Sequence, residues 1–235
     1  QPAIRSRLDQ IMQESGTLLQ IEPVDAASAD GKPATDTQSQ VSLVISGGIE
    51  PIEYARVQVL IMLDELNNLY IDTIDMDSKT LHVNAGRKRS TIQSIERESG
   101  ANIYIPSPFF GVLQSAVPPK VQERRHTVYV TGPPQAVSRA REMLQAFSKK
   151  SRNQVKRQVT LMPRKLDWLL LERLEALREV MLDNSTFLEL PLIGSQRGQV
   201  TVHGTSRVDV ERSIRILMQL VSPCYVASLW LLSSV

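Results

Sequence analysis

With 235 residues, 42 % of them apolar and 22 % charged, the sequence suits an ordinary globular protein of one large domain or two to three small ones. Its single cysteine, Cys224, excludes a disulfide within the chain, and no run of 18 apolar residues is present to form a membrane span. The formal charge of +2 hides an asymmetry: residues 1–69 carry 4 Lys/Arg against 10 Asp/Glu, residues 70–158 carry 15 against 7, and residues 159–235 carry 8 against 8.

In chain order, Leu8, Ile11 and Met12 at helical spacing predict a helix that ends at Glu14-Ser15-Gly16-Thr17, where the glycine is a C-cap signal. The alternation after it predicts a strand over 18–23. The segment 24–40, rich in Asp, Ala, Ser and Thr, reads as disordered by composition. A second strand follows at 41–47 and an amphipathic helix at 51–66. The pattern then recurs with additions. Residues 70–76 alternate as a strand and 78–85 form a short helix. The turn Gly86-Arg87-Lys88-Arg89 comes next, and Ser90 stands as N-cap of a helix carrying Ile92 and Ile95. Glu98-Ser99-Gly100-Ala101 closes that helix, 84 residues after its first counterpart, and leads to a strand through Ile103 and Ile105. After a long loop come a strand at 127–132 and a helix at 134–147.

The third copy opens with a strand at 157–162 and a glycine-free run over 166–182. Asp183-Asn184-Ser185-Thr186 closes it, 85 residues after the second copy. A strand at 187–190, a short hairpin connection around 194–198, a strand at 199–204 and a helix at 207–220 complete it. The order β-α-turn-α-β-loop-β-α predicts an α+β fold of small three-stranded sheets, each packed against three helices. The first copy starts at what is already the turn, so its opening strand and helix are expected to be missing. The chain opens on Gln1 with neither an initiator Met nor a signal-peptide pattern, which reads as a processed or excised piece.

These residues resemble the K-homology (KH) domain family of the eukaryotic type, type I. "GRKRSTIQSIERESGANIYIP" is similar to the family's turn–helix–strand signature, and "VYVTGPPQAVSRAREML" to its last strand and helix. The resemblance implies tandem units at 1–69 (partial), 70–150 (complete) and 151–222 (degenerate), with an apolar tail at 223–235. It also implies single-stranded RNA as partner, DNA less so, held by a Gly-x-x-Gly turn on the sugar–phosphate backbone and an apolar groove for bases. Only the second unit keeps part of that turn, with Arg89 in place of the second glycine. Pro2-Ala3-Ile4-Arg5 and the region 164–171 stand in its place in the other two units.

The candidate nucleic-acid site is therefore Gly86, Arg87, Lys88, Arg89 and Ser90 for the backbone, Ile92 and Ile103 for the groove, and Arg124 and Arg125 as added phosphate contacts. Three cations ahead of a helix oppose its dipole, a local conflict expected of a functional position. The alternative for the same residues is a solvated helix start and a core. Phe109-Phe110 reads either as a base-stacking pair or as an anchor of its own loop. The basic linker 148–157 reads as a hinge or as an extension of the binding face, and the tail 225–235 as packing on the third unit or on another chain. His82, His126 and His203 lack metal-ligand spacing, and no Walker loop, triad or carboxylate pair stands out, so no metal, cofactor or enzyme activity is expected. Two functions remain in view: an intracellular RNA-binding protein, cytoplasmic or nuclear, or a divergent KH array acting as a protein-interaction or dimerisation scaffold. Neither calls for a membrane.

Overall fold

The computed structural model describes residues 2–23, 41–113, 118–149 and 154–227. The segment read as disordered, the middle of the basic linker and the end of the apolar tail lie outside them. The first unit runs α1 (Pro2–Ser15), β1 (Leu18–Pro23), β2 (Val41–Ser46) and α2 (Ile49–Leu66). Its strands pair antiparallel with Leu18 opposite Ser46. The two helices bury Leu8, Ile11, Ala55, Val59 and Met62 together with Leu19.

The second unit runs β3 (Tyr70–Asp75), α3 (Ser78–Asn84), a 3-10 turn (Arg87–Arg89), α4 (Ser90–Ser99) and β4 (Asn102–Tyr104). It continues with the short α5 (Pro119–Glu123), β5 (Thr127–Gly132) and α6 (Pro134–Lys149). The third runs β6 (Val155–Thr160), α7 (Pro163–Glu172), α8 (Leu174–Asn184), β7 (Thr186–Glu189), β8 (Gln199–Gly204) and α9 (Arg207–Val221). Both sheets are antiparallel with the last strand in the middle, ordered β3-β5-β4 and β6-β8-β7. The α+β architecture of repeated three-stranded, three-helix units is the one the sequence predicts. The glycine-free run of the third unit forms the two helices that the predicted order requires, and they break at Arg173 (φ −133°, ψ 29°), where the backbone turns without a glycine.

The repeated closing motif has one physical basis in all three copies. Gly16 (φ 69°), Gly100 (φ 77°) and Ser185 (φ 53°) adopt the left-handed conformation that ends a helix. Just before each, a short polar side chain bonds back to the carbonyl four residues earlier. Ser15 Oγ donates to Ile11 O (2.6 Å), Ser99 Oγ to Ile95 O (2.6 Å) and Asn184 Nδ2 to Val180 O (2.9 Å). This is why Ser-Gly and Asn-Ser can occupy the same place.

Alternation along β5 turns Val128 and Val130 toward the unit's own helices, where they meet Ile74, Leu81, Ile92, Ile95, Ile103 and Leu144. The opposite face carries Tyr104, Tyr129 and Thr131. It is covered by α2 of the first unit, through Gln58 Nε2 to Tyr129 Oη (3.4 Å) and Tyr104 Oη to Asp64 (2.8 Å). The third unit repeats this: α3 lies against β7 and β8. His82 of α3 stacks at a tilt on Phe187, with ring centroids 5.8 Å apart, and Lys79 pairs with Glu189 at 2.9 Å. Each complete sheet is thus closed on its second face by a helix of the preceding unit.

Candidate nucleic-acid interface

Asp77 caps α3, its carboxylate accepting from the backbone N–H and the hydroxyl of Thr80, both at 3.0 Å. The helix stops at Ala85, and Gly86 turns the chain with φ 77° and ψ 165°. A side chain at Gly86 would sit 2.6 Å from both Ser90 Oγ and Thr91 Oγ1, so the close return of the chain needs glycine. Thr91 N–H donates to Ala85 O and Arg89 N–H to Gly86 O, both at 3.0 Å, which fixes the turn. Lys88 (φ 52°) and Arg89 (φ 61°) are both left-handed without being glycine, a conformation that costs roughly 1–2 kcal/mol per residue. Ser90 is the first residue of α4 and not its N-cap: Arg89 holds that position and gives no side-chain cap.

The basic residues of the turn divide. Lys88 is exposed. The Arg87 guanidinium donates to Asp209 at 2.6 Å, across to the start of α9, though its side chain stays 56 % exposed. Arg89 points inward. Its Nε is buried with no partner among the described residues, and burial, with Arg178 nearby, holds its pKa below the ordinary value. Arg124 is 3 % exposed, donates to Glu53 O (3.4 Å) and lies 5.4 Å from the centre of the Tyr129 ring. Burial lowers its pKa to about 10. Arg125 is exposed. Ile92 and Ile103 are both buried in the second unit's core.

The long loop after β4 is wedged between the outer units. Phe109 is fully buried and joins the third unit's core with Val83 and Val112, and Ile193 N–H donates to Val112 O (2.8 Å). Phe110 packs on Tyr54 of α2 and on Val121. The pair therefore anchors its loop and presents no free face to a base.

Three family models match successive parts of the chain: the KHD4 first KH domain over residues 1–64, the KHD4 second KH domain over 68–154 and the Mug60/KHD4 KH type I domain over 156–225. K homology domain-containing protein 4 of Mycosarcoma maydis is 40 % identical over 97 % of this chain. This chain belongs to the K-homology family. It spans 17 % of that relative's length. Among solved structures, Dim2p from Pyrococcus horikoshii OT3 aligns with 65 % of this chain and 90 % of its own at 13 % identity and a TM-score of 0.25. The a/eIF2alpha–aDim2p–rRNA complex of the same organism aligns with 67 % and 88 % at 14 % identity and the same TM-score of 0.25. At that score neither likeness bears on fold or ligand.

In KH terms, the turn and α3 of the second domain face the third domain, since the turn packs on α8 and α3 on β7. Two residues of the third domain that sequence reasoning missed meet the turn's cations there. Asp209 neutralises Arg87, and Arg178 on α8 lies beside Arg89. Nothing local marks either of them, because their partners stand 122 and about 90 positions away. No helix among the described residues is long and apolar enough to cross a membrane.

Proposed function

We propose that the chain is a single-stranded RNA-binding module of tandem KH-like domains, divided at 1–69, 70–150 and 151–222 with a tail at 223–235, that binds through its basic second domain. The observation that carries this reading is the Gly86–Arg89 turn, whose constrained backbone sets the exposed Lys88 and the partly exposed, Asp209-paired Arg87 just ahead of α4. Arg125, exposed in the short turn ahead of β5, adds to the positive charge of the same domain. In this reading Ser90 flanks the phosphate contact, Arg89 and Arg124 act from beneath it, and Ile92 and Ile103 shape its floor. Lost counterions dominate such binding, so affinity falls steeply with salt. An intracellular location, cytoplasmic or nuclear, goes with it.

Fluorescence anisotropy with a mixed short single-stranded RNA tests this at about 50 and about 200 mM salt. The variant with Arg87→Ala, Lys88→Ala and Arg89→Ala is expected to bind at least about tenfold more weakly, with a salt slope shallower by about 2. A salt slope near zero in the wild type sinks the electrostatic account. Asp209 competes with RNA for Arg87, so Asp209→Asn is expected to tighten binding about threefold in the same assay, with the gain shrinking at high salt.

A second reading has its own observation: α3 and the turn pack on the third domain, and the loop over 105–113 is anchored on both sides. On that reading the KH array is a protein-interaction or dimerisation scaffold with little nucleic-acid binding. Absence of RNA binding in a folded wild-type protein selects it, and sedimentation at several concentrations then tests the dimer.

A further inference from the structure

The three domains meet around a cavity of about 70 Å³, large enough for several waters or one small oxyanion. Four arginines line it: Arg56 from α2, Arg89 from the turn, Arg124 from the approach to β5 and Arg178 from α8. A single carboxylate, Glu53, is among the lining residues, and Arg178 Nη2 already bonds it closely. Arg124 is 97 % removed from solvent by its 3 % exposure, yet its Nε and Nη2 have no hydrogen-bond partner among the described residues, and neither does Arg89 Nε. Buried guanidinium N–H groups without acceptors are costly, and a cationic cluster short of negative charge repels itself. Arg56 is exposed, which leaves the cavity a solvent side.

We propose that this cavity is a composite phosphate-binding site, in which arginines from all three domains hold the phosphate group of an RNA strand or of a small free phosphate compound. Planar guanidinium forks match phosphate oxygens, and the unpartnered nitrogens of Arg89 and Arg124 supply donors that need an acceptor. The choice of phosphate over other small anions rests on the RNA-binding reading, and the site deepens it. The backbone contact would then be shared by three domains, two of which lack a glycine turn of their own. Burial lowers the pKa of both Arg89 and Arg124, and a neighbouring arginine in the cluster, Arg178 for the first and Arg56 for the second, adds to it.

The test uses the whole chain and inorganic phosphate as probe. Millimolar phosphate is expected to raise the melting midpoint by several degrees over chloride at matched ionic strength, and to broaden the phosphate ³¹P NMR line. Arg124→Met is expected to abolish both effects. Because that buried variant could fail to fold, the exposed Arg56→Gln serves beside it and is expected to weaken phosphate affinity about fivefold. Adding unlabelled single-stranded RNA separates the sources. RNA that reverses the line broadening identifies its own phosphate as the occupant, and RNA that leaves it unchanged identifies a small phosphate compound. Broadening in a protein that binds no RNA keeps this site and overturns the RNA reading. No broadening and no shift over chloride, or equal effects in Arg56→Gln and the wild type, overturn the site and make the arginines a structural clamp only.

Discussion

Asp64→Ala is expected to lower the stability of the joint between the first and second domains by about 3 kcal/mol in chemical denaturation followed by circular dichroism. Asp64 lies in the last turn of α2 and is 9 % exposed. Its Oδ2 accepts from the Thr131 hydroxyl at 2.5 Å, from Tyr104 Oη at 2.8 Å and from Asn102 Nδ2 at 3.4 Å. Thr131 is fully buried, so truncation strands a hydroxyl that water cannot reach. Burial and the bond to Asp64 also push the Tyr104 hydroxyl up to about 12, so it stays a donor at any physiological pH. Asp64→Asn keeps the shape and loses the charge, and about half the effect is expected of it. Tyr104→Phe combined with Asp64→Ala completes a double-mutant cycle. A coupling below about 0.5 kcal/mol means that the two side chains act independently and the proposed bridge is wrong.

The second large effect is one of pH, at the other joint. His82 on α3 is buried against Phe187, and its Nδ1 bonds Ser78 O at 2.8 Å while Nε2 has no partner among the described residues. Burial first, with Arg89 and Arg178 nearby, lowers its pKa to about 4, and only the Ser78 carbonyl and Glu53 oppose that. The unfolded chain takes up this proton near pH 6.5 and the folded chain near 4, so between those values the unfolded state binds more protons. Stability therefore falls as pH drops from about 6.5 to about 4, by about 3 kcal/mol in all, and levels off below. Glu189, held low by its bonds to Lys79 and His203, loses its contribution only as pH falls below the usual carboxylate range. Burial raises the pKa of the Glu50 carboxyl, which therefore works in the opposite sense, so the fall in stability above pH 5 is the part carried by His82. His82→Leu is expected to flatten the stability–pH curve there. An unchanged slope in that variant assigns the acid sensitivity elsewhere.

The elements of each domain were readable because they rest on local signals. Apolar residues at helical spacing, alternation in the strands and the small polar pair after α1, α4 and α8 repeat at nearly constant separation, and each has a backbone cause. The place of the break at Arg173 was hidden, because no glycine marks it in the run from Leu166 to Leu182. Ser90 looked like a cap because serine usually caps. The left-handed Arg89 before it gave the chain another way to enter the helix.

The candidate site was legible only as a list of charges. Which way each cation points depends on neighbours far along the chain: Lys88 and Arg125 to solvent, Arg87 to Asp209, Arg89 and Arg124 into the cavity. By itself the sequence determined the KH units, their order, and the concentration of positive charge in the second. Only the tertiary structure decided that the second face of each three-stranded sheet is sealed by the preceding domain and that Phe109 belongs to the third domain's core. It also decided that Arg56, Arg89, Arg124 and Arg178 converge. The physical reason is that periodicity encodes which face of an element is buried, whereas the partner that buries it is chosen by long-range packing, which leaves no local signature.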